Sequence, residues 1–171
     1  IRDIMAHHAG LIGWIPFYEQ TISKSRRNPQ PLSSFYRSRS DQKFKIPVAA
    51  NLYLREDFQD TIWHQIHTSK LRQQTNYRYS DLGFYMLAEL VHRVTGQTID
   101  QYTASTFYQP LGLSTTTYNP WQVFPLYRIT PSEDDRYFRR RKVHGYVHDM
   151  GAAMLGGVSG HAGLFANATD V

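Results

Sequence analysis

From Leu82 onward the apolar positions Leu82, Tyr85, Met86, Leu90, Val91 and Val94 fall on the three-and-four spacing of one helical face, and Gly96 supplies a stop. Ser80 and Asp81 stand where an N-cap belongs, so one of them should offer a side-chain oxygen to the free backbone N–H groups, with Tyr79 projecting from the helix start. A second stripe, Phe58, Ile62, Ile66 and Leu71, predicts a helix over residues 57–71. Thr98 and Gln101 have the spacing of a capping box, opening a helix that stops by Pro110. Residues 1–8 read as a helix tail ending at Gly10, and residues 14–23 as a short amphipathic segment. Residues 28–47 read as a polar loop punctuated by proline. Residues 119–136 look extended or irregular, and residues 145–165 should hold short strands and a turn at most. The expected architecture is mainly helical with long irregular connections and no internal repeat.

Composition narrows the chemistry. With 171 residues, 41% of them hydrophobic, the chain can bury a core as one domain. It has no cysteine, which excludes disulfides, thiol catalysis and cysteine-held metals. No apolar run is long enough for a membrane span, and the first residues lack a signal peptide. The net charge of +5 gathers in clusters: Lys24, Arg26 and Arg27; Arg37 and Arg39; and Arg136 with Arg139, Arg140, Arg141 and Lys142. Tyr137 and Phe138 interleave the last cluster in the manner of a nucleic-acid binder. Glu133, Asp134 and Asp135 directly precede it, however, so local pairing on a solvated basic face is the reading taken, with no nucleic-acid partner. His144 and His148, and His64 and His67, have spacings that could share a metal on a helix. Gly145, Tyr146 and Val147 favour strand or loop between the first pair, and no metal is expected. His148 and Asp149 read instead as pocket or turn residues.

Three segments carry a further signal: Tyr79-Ser80-Asp81, His8-Ala9-Gly10-Leu11 near the start, and Gly156-Gly157-Val158-Ser159-Gly160-His161-Ala162-Gly163-Leu164-Phe165 near the end. Together they resemble the penicillin-recognising serine hydrolases, the family of class C beta-lactamases, D-alanyl-D-alanine carboxypeptidases and related esterases. In that family a His-x-x-Gly-Leu segment follows the nucleophile helix, a Tyr-x-Asn segment carries the catalytic tyrosine, and a glycine-rich turn leads to a Ser-Thr-x-x-Asp-Leu helix. Here Asp81 replaces the asparagine, and Ala168-Thr169-Asp170-Val171 stands at the last motif. Trp14-Ile15-Pro16-Phe17-Tyr18, Phe107-Tyr108-Gln109-Pro110-Leu111-Gly112-Leu113 and Gly145-Tyr146-Val147-His148-Asp149 are similar to a bacterial subgroup often fused behind a family-3 glycoside hydrolase.

The resemblance implies an α+β, mainly helical fold: the interior portion of a beta-lactamase/transpeptidase-like domain, with residues 1–171 one partial domain and most of the central sheet outside it. It implies Tyr79 as the catalytic tyrosine, with Ser80, Asp81, His148, Asp149 and His161 supporting the pocket. The family's nucleophile is a serine with a lysine three residues on, sharing a helix face so that the amine can take the hydroxyl proton. That pair should precede Ile1, and the third motif should follow Val171. Ser40-Asp41-Gln42-Lys43 has the right spacing but lies in a polar run without apolar periodicity, after the His-x-x-Gly-Leu segment, and reads as a solvated loop. His161-Ala162-Gly163 has the His-x-Gly form of a third motif, but its glycine-rich context matches the family's middle turn.

Holding a tyrosine of ordinary pKa ionised near pH 7 costs about 4 kcal/mol. Without the family's lysine and third-motif cation, Tyr79 should stay a neutral phenol, and the chain alone should be inactive. The implied parent activity is acyl transfer on an amide or ester of a small molecule or peptide, in an exported or periplasmic bacterial enzyme needing no cofactor. Asp81 cannot donate to a substrate carbonyl unless protonated, which favours esterase or peptidase action over beta-lactam hydrolysis. Two other classes stay open: a noncatalytic binding or scaffold domain of the same fold, and a metal- or nucleic-acid-binding module.

Overall fold

The computed structural model describes every residue except Arg26 and Thr75; Arg26, part of the first basic cluster, thus lies outside the described residues. The helices are α1 (Arg2–Met5), α2 (Phe58–Thr68), α3 (Leu82–Thr95), α4 (Ile99–Thr103) and α5 (Met150–Met154). The strands are β1 (Tyr36–Arg37), β2 (Phe44–Ala49), β3 (Leu52–Arg55), β4 (Thr117–Tyr118), β5 (Pro131–Asp135), β6 (Arg141–His144) and β7 (Leu164–Phe165). Helix occupies about 33% and strand 16% of the chain, so the class is α+β with helix dominant.

The two apolar stripes fold as helices, each with a correction. In α2, Phe58, Ile62 and Ile66 are buried, but the chain turns extended at Ser69, leaving Leu71 beyond the helix and 66% exposed. In α3 the stop is as expected: Gly96 adopts φ 71 and its N–H donates to the His92 carbonyl. Burial, however, is confined to the first turns at Leu82, Gly83 and Tyr85, while Leu90 is exposed and Val94 is 75% exposed. The expected cap is also absent. Asp81 occupies the N-cap position without a side-chain cap bond, and its N–H and the side chain of Ser80 are engaged by the loop at residues 12–13. The capping box of α4 does form, with the Thr98 N–H donating to Gln101 Oε1 at 3.2 Å.

The polar loop expected over residues 28–47 contains strands instead. β1, β3 and β2 form an antiparallel sheet in that order, with β2 and β3 joined through Ala50 and Asn51, the latter at φ 54. The period-two burial of Leu52 and Leu54, opposite Ala49 and Ile46, is the force behind this hairpin. Pro47 is accommodated at a register shift. Two further antiparallel pairs, β5–β6 and β4–β7, follow.

Phe17, Tyr36, Val48, Leu54, Ile62, Leu82, Phe138 and Met154 form the buried core, in which one face of the sheet meets α2, the start of α3 and α5. Helix α5, in the region expected to hold only strands and a turn, is opened by Asp149, whose Oδ1 accepts the Ala152 N–H at 2.7 Å. It packs against β2 and the 3₁₀ turn Phe17–Thr21. That packing brings Asp149 beside the start of α3.

Candidate active site

The lead-in to α3 is clamped by the loop that follows α1. The Ser80 hydroxyl donates to the Ile12 carbonyl at 2.6 Å, and the Ser80 N–H donates to Nδ1 of His7 at 3.1 Å. The Asp81 N–H donates to the Gly13 carbonyl at 2.8 Å and the Arg78 N–H to the His7 carbonyl at 3.0 Å. With its polar groups consumed inward, Ser80 is buried and holds its neighbours in place, while Tyr79 projects outward, 58% exposed. The His7 ring packs on Tyr79 with centroids 4.6 Å apart and lies 5.4 Å from the Phe84 ring.

His7 is a site residue that the sequence reading passed over. In the segment His7-His8-Ala9-Gly10-Leu11 the histidine that fits His-x-x-Gly-Leu is His7, not His8. Counting back from Leu11 would have found it.

Beside this clamp lies an open cavity of about 280 Å³, lined by Trp14, Tyr18, Asp81, Tyr85, His148 and Asp149 among others. Tyr79 is not in its lining but stands under the influence of it. Partial burial and the carboxylates of Asp81 and Asp149 push the Tyr79 phenol up from its ordinary value, so it is a neutral hydrogen-bonding group near pH 7. A phenolate at this position requires positive charge from elsewhere.

Asp149 is fixed from behind. Its Oδ1 lies 2.9 Å from Nε2 of His161, whose Nδ1 lies 2.8 Å from the Ser159 hydroxyl. The His161 ring stacks on Tyr85 at 4.1 Å and an interplanar angle of 26°. With its side chain 3% exposed, His161 is behind the cavity wall rather than on it, a placement different from the pocket-wall role read from the glycine-rich turn. Burial alone would raise the Asp149 carboxyl; the hydrogen bond and charge of His161, with the Ala152 N–H, hold it below the usual value.

Arg139 fixes the backbone of the same corner. Its side chain is wholly buried, donating to Asp135 at 2.7 Å, to Glu133 at 3.1 Å, and to the carbonyls of Val147 at 2.7 Å and His148 at 2.5 Å. The basic run is therefore not one solvated face: its central arginine is an internal tie, and the acidic triplet before it supplies the partners. Burial would raise the Asp135 carboxyl, but bonds from the Arg139 side chain and from the Arg139 and Phe138 N–H groups depress it.

The other residues singled out in the sequence lie apart. Ser40 and Lys43 sit in the exposed turn before β2, where Asp41 accepts the N–H groups of Lys43 and Phe44 at 2.8 and 2.9 Å, so they share no helix face. His144 lies on β6 with Nε2 2.6 Å from the Ile129 carbonyl, while His148 follows in an exposed loop. Among the described residues, no group of three or more histidine, aspartate or glutamate side chains is placed to hold a metal ion. No helix among them is long and apolar enough to cross a membrane.

The profile of the Beta-lactamase family matches residues 1–171. N-acetylmuramyl-L-alanine amidase of Bacillus subtilis (strain 168) is 30% identical over 187 aligned residues, covering 100% of this chain and 36% of its own length. A protein of Escherichia coli (strain K12) named "Putative D-alanyl-D-alanine carboxypeptidase" is 39% identical over 105 residues, 54% of this chain and 24% of its own. Among solved structures, the D-amino acid amidase from Ochrobactrum anthropi SV3 complexed with D-phenylalanine matches with a TM-score of 0.50 at 15% identity, over 97% of this chain and 42% of that one. This last likeness speaks for the fold alone. The chain thus spans little more than a third of the length of these curated relatives at most. With the family profile matched along its whole length and the expected α+β portion of the fold in place, the chain belongs to the Beta-lactamase family.

Proposed function

We propose that this chain is the pocket-forming part of a serine hydrolase that transfers the acyl group of an amide or ester to water through a covalent serine ester. Tyr79 is the residue that relays protons, and Asp81 and Asp149 shape the cavity beside it. The observation that carries this reading is the convergence of the three segments singled out in the sequence. The clamp at residues 7–13 presents Tyr79 and Asp81, and the glycine-rich turn supplies His161 behind Asp149. A neutral Tyr79 can donate a proton to a leaving group, but needs neighbouring cations before it can act as a base. Those cations, and the serine itself, are supplied by segments outside residues 1–171, so residues 1–171 form one partial domain without hydrolase activity of its own. The names of the amidase and carboxypeptidase relatives support a peptide-like substrate, with cell-wall peptide turnover in an exported protein as the setting. Fusion to a family-3 glycoside hydrolase is the arrangement suggested by the motifs around Trp14, Phe107 and Gly145.

The test is covalent labelling. The chain and a longer form extended at both ends are each incubated with a fluorophosphonate and a labelled penicillin, and adducts are mapped by mass. Labelling of a serine only in the longer form is expected. An adduct on Ser40 in the chain itself would make Ser40 and Lys43 the reactive pair and overturn the reading, as would a longer form that no reagent labels and that hydrolyses no ester or amide.

A further inference from the structure

Asp149 lines the cavity and is tied from behind. Its Oδ1 takes the Ala152 N–H and the His161 Nε2, both of which pull toward the protein interior. Asp149 also lines the cavity together with Asp81. The imidazole is fixed at its second nitrogen by Ser159 and on its face by Tyr85, so it cannot rotate without breaking contacts on three sides. Because an ionised carboxylate only accepts, Nε2 must carry the hydrogen on that side, while the Ser159 hydroxyl holds the ring at Nδ1. Arg139, through the carbonyls of Val147 and His148, holds the adjoining backbone. A carboxylate used merely to cap the five-residue helix α5 would need only the Ala152 bond.

We propose that Asp149 is a working carboxylate of the cavity and that His161, backed by Ser159, is its positioning residue. This rests on the hydrolase reading for what the carboxylate works on, but not for the positioning itself. Around Asp149, His161 and His148 favour its charge, the carboxylates of Asp81 and Glu133 and the phenol of Tyr85 line the same cavity, and the Tyr79 phenol feels the Asp149 charge. In that surrounding the His161 bond decides whether the carboxylate stays charged and where it points.

Two substitutions separate positioning from bulk. His161→Phe keeps a flat ring against Tyr85 and removes both hydrogen bonds, whereas His161→Gln can place an amide N–H near the position of Nε2. The first readout is the side-chain carboxyl carbon of Asp149, followed by NMR through pH on the whole 171-residue chain. Its midpoint is expected to rise in His161→Phe and to return toward the native value in His161→Gln. The second readout is kcat/KM against pH for the longer form. His161→Phe should lose about tenfold or more, the worth of a hydrogen bond to a charged group, with the acidic limb moved to higher pH and with recovery in His161→Gln. An unmoved Asp149 midpoint in a folded His161→Phe variant overturns the positioning role. A moved midpoint together with an unchanged kcat/KM overturns the working role of Asp149. If the longer form hydrolyses nothing, the hydrolase reading fails, while the carboxyl titration still decides the positioning of Asp149.

Discussion

The imidazole of His7 bridges ring and backbone of the tyrosine segment: its centroid lies 4.6 Å from that of Tyr79, and its Nδ1 accepts the N–H of Ser80 at 3.1 Å. His7 itself sits at φ 59, a left-handed conformation that few non-glycine residues adopt, so the α1 exit is shaped to deliver this ring. Glycine tolerates that backbone but brings neither the ring nor an acceptor. His7→Gly is therefore expected to cost about 1–2 kcal/mol in denaturant unfolding, the worth of the lost bond and contact. The Ser80 amide should exchange with solvent faster than in the native chain, and unchanged exchange would remove His7 from the clamp.

Asp81 sets the Tyr79 phenol. After slight burial, its carboxylate is the next largest influence raising that group. Asp81→Asn restores the family's residue type and removes the charge, so the Tyr79 midpoint should fall toward the ordinary tyrosine value. Selective ¹³C labelling of tyrosine Cζ, followed through alkaline pH, resolves it among the twelve tyrosines. A rise or no change would show that the two side chains do not interact.

Arg139 is a buried charge that donates to four acceptors. Arg139→Met leaves Asp135 buried without its cation and frees the carbonyls of Val147 and His148. It should cost about 3–5 kcal/mol by denaturant unfolding. Arg139→Lys keeps the charge but cannot fork to four acceptors, and should fall between the two. A loss under about 1 kcal/mol for the methionine variant, the range of exposed ion pairs, would contradict the internal-tie role.

Alkaline stability has a definite sign. Burial pushes Tyr118 and Tyr146 up to about 12 from 10.0, and raises Tyr36 and Tyr85 as well. Between those values the folded chain keeps protons that the unfolded chain has lost, so folding stability is full below about pH 10 and falls as pH rises toward about 12. On the acid side the signs reverse. Asp135 and Asp149 are depressed in the folded chain, so their contribution is present above the usual carboxylate value of about 4 and is lost as pH falls below it. Urea midpoints across pH check both limbs, and a midpoint that does not fall from pH 10 to pH 12 would contradict the burial of these phenols.

Local periodicity by itself determined α2, α3, the Gly96 stop and the capping box of α4, since each depends on residues within a few turns of one another. It also presented Tyr79 at the head of α3 and, through short motifs, the family. The strand pair β2–β3 was not legible, because Pro47 and the charges around Phe44, Ile46, Val48, Leu52 and Leu54 mask their alternation. What only the tertiary structure decided is where each polar group finds its partner. Ser80 spends its bonds on His7 and Ile12, 73 and 68 positions away, rather than on the helix it precedes. Arg139 leaves the charged run it belongs to because β5 and the corner at Val147 and His148 surround it with acceptors. Asp149, which looked like a neighbour of His148, is instead tied to His161 across α5. A polar side chain's charge and geometry are fixed by its composition, but its partner is fixed by the packing that excludes water from one of several competing acceptors. That exclusion is a property of the folded chain and not of any short stretch of it.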